Sequence, residues 1–313
     1  MNILITGIHG FVGNNLVDSL KDNHIIYGLD IIYSKKEGVF QTFGWNEIDI
    51  LPNIDVIIHL AGKAHDTKNQ SNSQDYFDIN TKLTKKIYDW FLKSNAKKFI
   101  FFSSVKAVAD AVEGKILTED VIPNPKGPYG ESKIAAENYI ISHQSSVNSQ
   151  HKKTYILRPC MIHGPGNKGN LNLLYNFVKK GIPYPLVAFE NKRTFTSIDN
   201  LSFVIEQLIE KDIPSGIYNV GDDESFSTNE LIALIANTLG KPNRIWNVNK
   251  KLILLAAKVG SILHLPLNAE RLQKLTENYV VSNTKLKKSL WIQKMPVSAK
   301  EGFIKTIQSF NDK

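Results

Sequence analysis

Thr6-Gly7-Ile8-His9-Gly10-Phe11-Val12-Gly13 follows directly on the apolar run Asn2–Ile5 and passes into a helical pattern, Gly13–Leu20. Strand, glycine turn and helix in immediate succession are the setting in which backbone amides at a helix N-terminus cradle a diphosphate. Gly7 permits the tight turn, Gly10 lets the backbone approach the phosphates, and Gly13 lets the helix lie close on the strand, with Phe11 and Val12 completing the turn. The spacing is Gly-x-x-Gly-x-x-Gly and differs from the commoner Gly-x-Gly-x-x-Gly.

Outward from this turn, strand-like runs alternate with helical ones. Strands are expected at Ile25–Leu29, Val56–Leu60, Lys98–Ser103 and Thr154–Leu157, and helices at Asn80–Ser94 and Tyr129–His143. Alternation of this kind predicts an α/β fold with a doubly wound parallel sheet covered on both faces. After Arg158-Pro159 the pattern changes to loops rich in Gly and Asn, then to helices near Thr228–Leu239 and Lys251–Leu263. Residues 1–165 therefore read as a dinucleotide-binding domain. Residues 166–313 read as a smaller α/β domain for the substrate, with 194–222 returning to the first through a helix at Asp199–Ile209 and a strand at Ile217–Val220.

The chain has 313 residues, 42% of them hydrophobic, a net charge of +8 and a single cysteine, Cys160. One cysteine excludes a disulfide framework and a cysteine-based zinc cluster, and fits a reducing, cytoplasmic setting. The N-terminus reads as a strand, with no basic leader or cleavage site. Leu252–Leu265 is interrupted by Lys258 and His264 and is too short and polar to span a bilayer. Its pattern favours a core or subunit-interface helix over a membrane-surface helix. The basic residues are dispersed lysines without interleaved aromatics, which argues against nucleic acid. Only Arg158, Arg193, Arg244 and Arg271 carry guanidinium groups. In a chain that uses lysine for surface charge, these are candidates for forked recognition of phosphate or carboxylate, with ordinary ion pairs as the alternative.

Asp30 ends the second strand, where a carboxylate accepts hydrogen bonds from the adenosine ribose and repels a 2′-phosphate, favouring NAD over NADP. Asp49 and Ile50 are expected to face the adenine. Leu60-Ala61-Gly62 places small residues where backbone passes the cofactor, and His59 reads as a packed strand-end side chain. Tyr129-Gly130-Glu131-Ser132-Lys133 sets a phenol and an ammonium one helical turn apart. A nearby cation lowers the cost of ionising the phenol, so Tyr129 is expected to act as a general base, with Ser104 holding the same substrate hydroxyl.

These residues resemble the extended short-chain dehydrogenase/reductase family, in its nucleotide-sugar epimerase and ketoreductase branch. The resemblance runs nearly end to end on Thr6 to Gly13, Asp30, His59 to Gly62, Asn80, Ser103-Ser104, Tyr129 with Lys133, Arg158-Pro159, His163 to Gly166 and Arg193 to Phe195. It implies a Rossmann domain binding NAD, and Ser104, Tyr129 and Lys133 as the catalytic trio. Lys133 would also hold the nicotinamide ribose, and Asn80 would brace the helix. Asn170 and Leu171 would meet the nucleotide of a UDP-sugar, with Arg193 and Arg271 on its diphosphate; a homodimer and no metal are also implied. Within the family the chain looks like a bacterial surface-polysaccharide subgroup described as UDP-glucose 4-epimerase-like. Val105 and Lys106 stand where dehydratases of the family carry an acid, which ranks dehydration low. Met161 stands where some galactose epimerases carry an Asn, and Ala107-Val108-Ala109 changes the pocket wall near carbon 4.

Three readings follow. The first is a UDP-hexose 4-epimerase. The second is a 4-ketoreductase of a UDP-4-keto-6-deoxy-hexosamine using NAD(P)H and the same trio. The third is a catalytically silent NAD-binding regulator, against which the intact trio argues.

Overall fold

The structure is a computed structural model that describes residues 1–63, 72–112, 114–143, 151–167, 169–185, 187–262, 268–269, 272 and 276–310. Its strands in chain order are β1 (Asn2–Thr6), β2 (Ile25–Leu29), β3 (Gln41–Phe43), β4 (Val56–His59), β5 (Lys98–Phe102), β6 (Lys153–Pro159), β7 (Met161–His163), β8 (Arg193–Ser197), β9 (Gly216–Val220) and β10 (Ser225–Phe226). Besides the short helix Ser73–Tyr76, the helices among the described residues are α1 (Phe11–Leu20), α2 (Leu83–Lys93), α3 (Pro128–Ser142), α4 (Asn170–Lys179), α5 (Ile198–Glu210), α6 (Thr228–Thr238), α7 (Lys250–Ile262), α8 (Thr284–Leu290) and α9 (Ala299–Gln308).

Seven strands form one sheet in the order β3-β2-β1-β4-β5-β6-β9, and every neighbouring pair is parallel. The strand order reverses between β1 and β4, so a crevice opens at their C-terminal ends, where this fold class binds its ligand. Strands buried on both faces must be apolar throughout, as Leu4, Ile5, Ile57 and Ile58 are. On one face α1, α5 and α8 cover the sheet through Leu16, Val17, Leu201, Val204, Leu208, Leu286 and Leu290. On the other, α2 and α3 cover it through Ile87, Tyr88, Phe91, Ala136 and Ile140.

A second, three-stranded sheet has the order β10-β8-β7, and a satellite core joins α4, α6, α7 and α9 through Leu171, Tyr175, Ile235, Ile253, Ala257 and Phe303. Strand β9 pairs with β6 in the main sheet and α5 packs on it, whereas β8 lies in the second sheet, and Leu286, Leu290 and Met295 also belong to the first core. The chain thus crosses back to the first core again near its end, which composition does not reveal.

A polar lock fixes α3 to the sheet. Arg158 of β6 donates from Nε to both Glu137 oxygens at 3.0 and 3.2 Å and from Nη2 to Oε2 at 2.6 Å. The two side chains are 2% and 0% exposed. Ser103, just past β5, donates its hydroxyl to the same carboxylate. The guanidinium fork suggested for Arg158 therefore grips a carboxylate of the protein itself. Removing one member of a buried pair leaves an uncompensated charge, so Arg158→Ala is expected to lower unfolding stability by about 3–5 kcal/mol, and Glu137→Met/Arg158→Met to recover most of it. Urea unfolding of the three proteins measures both.

Candidate active site

Gly7 has φ +67°, and a Cβ there would lie 2.9 Å from the Ala61 amide nitrogen. The glycine turn and the end of β4 are therefore in backbone contact, and any side chain at 7 would separate them. At Gly13 a Cβ would lie 2.6 Å from the Ile8 carbonyl oxygen, so α1 can start where it does only with glycine there. Phe11 opens α1 against the loop at Gly164 and Gly166, and Val12 packs on the first core. Asp30 is buried to 7% exposure; its Oδ2 accepts from the His9 amide at 3.0 Å and its Oδ1 from Ile31 at 2.7 Å. These bonds tie the carboxylate to the glycine turn and fix its position. Lys36 donates to Asn14 at 2.6 Å. Asp49 and Ile50 sit in a 3₁₀ turn (Ile48–Ile50) with both side chains exposed, while Ile48 anchors the turn in the core.

Gly62, Asn80 and Lys133 converge. A Cβ on Gly62 would lie 2.9 Å from Asn80 Oδ1 and 3.1 Å from Lys133 Nζ. Asn80 reaches this point from a π-helical stretch, Phe77–Lys82, which runs into α2. An extra residue per turn rotates the side chains that follow it, and such stretches recur where a side chain must be aimed. Asn80 Oδ1 accepts from the Lys63 amide at 2.7 Å, and its Nδ2 donates to Ser132 Oγ at 2.9 Å. Ser132 in turn donates to the Tyr129 carbonyl at 2.8 Å, so Asn80 holds the helix that carries Tyr129.

His59 ties this arrangement to the glycine turn. The Ala61 amide donates to Thr6 Oγ1 at 2.9 Å, and Thr6 Oγ1 lies 2.7 Å from His59 Nδ1. His59 Nε2 lies 2.9 Å from Thr84 Oγ1, whose one proton goes to the Asn80 carbonyl at 2.6 Å. Thr84 can then only accept from the ring, which assigns the proton to Nε2 and makes Nδ1 the acceptor for Thr6. Burial, with a smaller push from Lys133, holds the imidazole pKa down to about 3, so the ring is neutral. His59 packs under the sheet as expected and in addition carries a hydrogen-bond chain from Ala61 to Asn80.

Ser104 caps the 3₁₀ turn Val105–Ala107, accepting from the Lys106 amide at 3.2 Å. A Cβ on Gly130 would lie 2.5 Å from the Lys106 carbonyl oxygen, so glycine next to Tyr129 lets this turn close on α3. Ser104 and Tyr129 are hydrogen-bonded through their side chains, and the Tyr129 ring meets Tyr76 edge-on at 6.3 Å. Lys106 places its ammonium over the Tyr279 ring at 4.5 Å, and Tyr279 donates to the Ala109 carbonyl at 2.7 Å, so this wall is tied to the chain at Tyr279.

The expected acidification of Tyr129 is corrected. Burial raises the phenol pKa, the hydrogen bond with Ser104 pulls it back in part, and Tyr76 adds to the rise. Lys133 does not counter this because its Nζ donates to the Phe102 carbonyl at 2.8 Å, and burial lowers its own pKa to about 8. Leu171 is a second correction. It is 3% exposed and belongs, with Tyr175 and Val178, to the face of α4 that builds the satellite core, so its side chain does not face a ligand. Asn170 is the first residue of α4. Arg193 donates from Nη2 to Glu277 Oε1 at 3.3 Å and is partly shielded. Arg244 donates to the Gly181 carbonyl at 3.2 Å. Arg271 lies outside the described residues.

Two parts of the site lack a motif in the sequence. Glu137 stands four residues after Lys133, as Lys133 stands four after Tyr129, and that spacing is its one signal. Thr84 has none, and Thr6, which opens the glycine-turn stretch, carries no signal of this role, since a buried hydroxyl relay depends on which elements meet.

A glycine turn at a sheet switch point, a buried carboxylate tied to that turn and a Ser-Tyr-Lys group at the same edge are the features of a dinucleotide-dependent oxidoreductase centre. The profile of the NAD dependent epimerase/dehydratase family matches residues 3–221, and the chain belongs to that family. Its cofactor is NAD. The chain is 31% identical to a UDP-glucose 4-epimerase of Vibrio cholerae over 99% of its own length and 95% of the relative's. It is 27% identical, over 92% and 85%, to the N-acetyl-alpha-D-glucosaminyl-diphospho-ditrans,octacis-undecaprenol 4-epimerase of Escherichia coli O157:H7. The fold matches the crystal structure of a UDP-glucuronic acid 4-epimerase from Bacillus cereus in complex with NAD at a TM-score of 0.75, with 20% identity and coverage of 100% and 99%.

The depressed Lys133 pKa has a sign that can be checked. Between about 8 and the ordinary 10.5, the unfolded chain keeps this proton and the folded chain releases it, so its burial cost shrinks as pH rises through that window. Below pH 8 the full cost, on the order of 3 kcal/mol, weighs on the cofactor-free fold. Lys133→Met is therefore expected to gain stability relative to wild type at pH 7 and to lose most of that advantage by pH 10, measured by urea unfolding at both.

Proposed function

We propose that this protein is a UDP-hexose 4-epimerase acting in the synthesis of surface-polysaccharide sugars. The observation that carries the reading is the meeting of Gly62, Asn80 and Lys133 beside the Ser104–Tyr129 pair, at the sheet edge where Asp30 and the glycine turn already define a cofactor cradle. The likeness to the Vibrio cholerae UDP-glucose 4-epimerase over nearly the whole of both chains supports it.

In this reading the turn at Gly7, Gly10, Phe11, Val12 and Gly13 receives the NAD diphosphate and Asp30 the adenosine ribose. Asp49 and Ile50 border the adenine, Leu60-Ala61-Gly62 and Asn80 line the passage, and Lys133 holds the nicotinamide ribose. Bound NAD supplies a reversible hydride acceptor. Ser104 orients the hydroxyl on carbon 4, and Tyr129 Oη takes its proton and later returns it to the 4-keto sugar. Asn170 and Arg193 bind the nucleotide and diphosphate. Arg193 would exchange Glu277 for phosphate oxygens, since the guanidinium fork suits both. The same reading takes the protein to be cytoplasmic and a homodimer formed by α2 and α3. No described helix is long and apolar enough to cross a membrane.

One observation favours a second reading. A phenol whose pKa is raised keeps its proton, and the protonated phenol is the form a 4-ketoreductase needs to complete hydride addition to a UDP-4-keto-6-deoxy-hexosamine. An epimerase needs both forms within one turnover.

The purified protein is expected to release NAD on denaturation and to interconvert carbon 4 epimers of UDP-glucose or UDP-GlcNAc, followed by NMR. Tyr129→Phe should lower kcat by about 10²–10⁴ with KM and bound NAD little changed. Stoichiometric NADH consumption with the keto sugar and no epimer formed would exclude the epimerase in favour of the reductase.

A further inference from the structure

Helix α7, Lys250–Ile262, carries two apolar stripes, and the fold uses one of them. Ile253, Ala257 and Gly260, at i, i+4 and i+7, are its buried residues, and the first two enter the satellite core. Rotated about a third of a turn away, Leu252, Leu255, Ala256 and Val259 repeat the i, i+3, i+4, i+7 pattern of a second stripe. Leu252 is 60% exposed, Leu255 59% and Val259 43%, and Leu254 adds another exposed aliphatic at 43%. Packing on the body of the protein does not explain them. The sequence pattern favoured a core or interface helix; the core accounts for only the narrower of the two stripes.

The charges around this stripe are one-sided. Residues 241–262 contain Lys241, Arg244, Lys250, Lys251 and Lys258 and no carboxylate. Lys251 and Lys258, seven residues apart, lie along one margin of the exposed stripe, and both are exposed. Lys250 lays its ammonium over the Phe189 ring at 5.2 Å, on the side that faces the domain. Trp246, 60% exposed, precedes the helix, and tryptophan is favoured where apolar and aqueous phases meet. A helix with an outward aliphatic stripe bordered by lysines and lacking acids is built to lie in the plane of an anionic lipid surface, its leucines among the acyl chains and its ammonium groups among the phosphates.

We propose that α7 is a docking site for an anionic phospholipid bilayer and holds the protein at the membrane surface without spanning it. Two copies meeting about a two-fold axis would bring the lysine margins together with no carboxylate on the helix to answer them, whereas anionic headgroups complement them. The helix shares its core with α4, whose first turn carries Asn170. Docking would therefore fix the second domain, with its α4, relative to the bilayer. The proposal is independent of the reaction assigned above.

Co-sedimentation of the full chain with vesicles tests this. Wild type is expected to pellet with vesicles of equimolar phosphatidylglycerol and phosphatidylcholine, to bind phosphatidylcholine alone weakly, and to be released progressively by salt. Leu252→Glu/Leu255→Glu should weaken binding about tenfold or more, and Lys251→Ala/Lys258→Ala should remove the preference for the anionic lipid. All four side chains are exposed, so both variants should keep the wild-type melting temperature. Failure of wild type to bind phosphatidylglycerol vesicles at low salt overturns the proposal. So does loss of binding from the lysine changes alone with the leucine changes silent, which would mean charge adsorption only. An oligomer dissolved by the leucine changes, in a wild type that ignores lipid, would instead make this face a contact between copies.

Discussion

Burial of a carboxylate on α3, the helix that carries Tyr129, is the constraint on which this structure rests. Glu137 has no water to solvate it, so its charge is tolerable only while Arg158 forks onto it and Ser103 donates to it. Those two partners stand at the C-terminal ends of neighbouring strands β6 and β5. The lock therefore specifies how far α3 slides along the sheet, and with it where Lys133 and Tyr129 stand, one and two turns away respectively. An apolar contact of equal size would hold the helix down but would tolerate small shifts, because dispersion is not directional. Positioning of a proton-transfer group does not tolerate them.

A second network solves a different problem, the alignment of the cofactor turn with the catalytic helix. From the Ala61 amide through Thr6, His59 and Thr84 to the Asn80 carbonyl, each hydroxyl uses its single proton once, and the imidazole is forced into one tautomer. A charged ring would break this order, because it would offer Thr6 a proton in place of a lone pair. Desolvation prevents that. The same low dielectric that makes an unpaired polar group costly makes this filled chain stiff. Gly62, pressed against Asn80 and Lys133, is the point at which both networks meet.

Much of this was legible in the chain alone because it is encoded locally. A glycine at positive φ before a helix, short apolar runs of strand length, and a phenol and ammonium at i, i+4 are written in consecutive residues. Among the elements without a counterpart in the expected pattern, β3, β7, β8 and β10 hold two to five residues each and exist because a neighbouring strand offers hydrogen bonds, and the helices α4, α8 and α9 also lack one. The Tyr129 error has the same root. Spacing places Lys133 beside the phenol in sequence, but tertiary packing gives its ammonium the Phe102 carbonyl and buries both groups, so desolvation outweighs the expected attraction. Leu171 was assigned to a ligand by resemblance, whereas its period with Tyr175 and Val178 already marked it as core.

The electrostatics of Lys133 and Tyr129 also explain why family membership is easier to read than reaction direction. In the cofactor-free fold the two groups sit in the same desolvated space, with the phenol pKa pushed up and the ammonium pKa pushed down, so each is driven toward its neutral form. A phenol in these surroundings keeps its proton unless the charge beside it changes. A positive group held next to the pair would favour the tyrosinate, and a neutral one the phenol. One frame can thus run a hydride step in either sense.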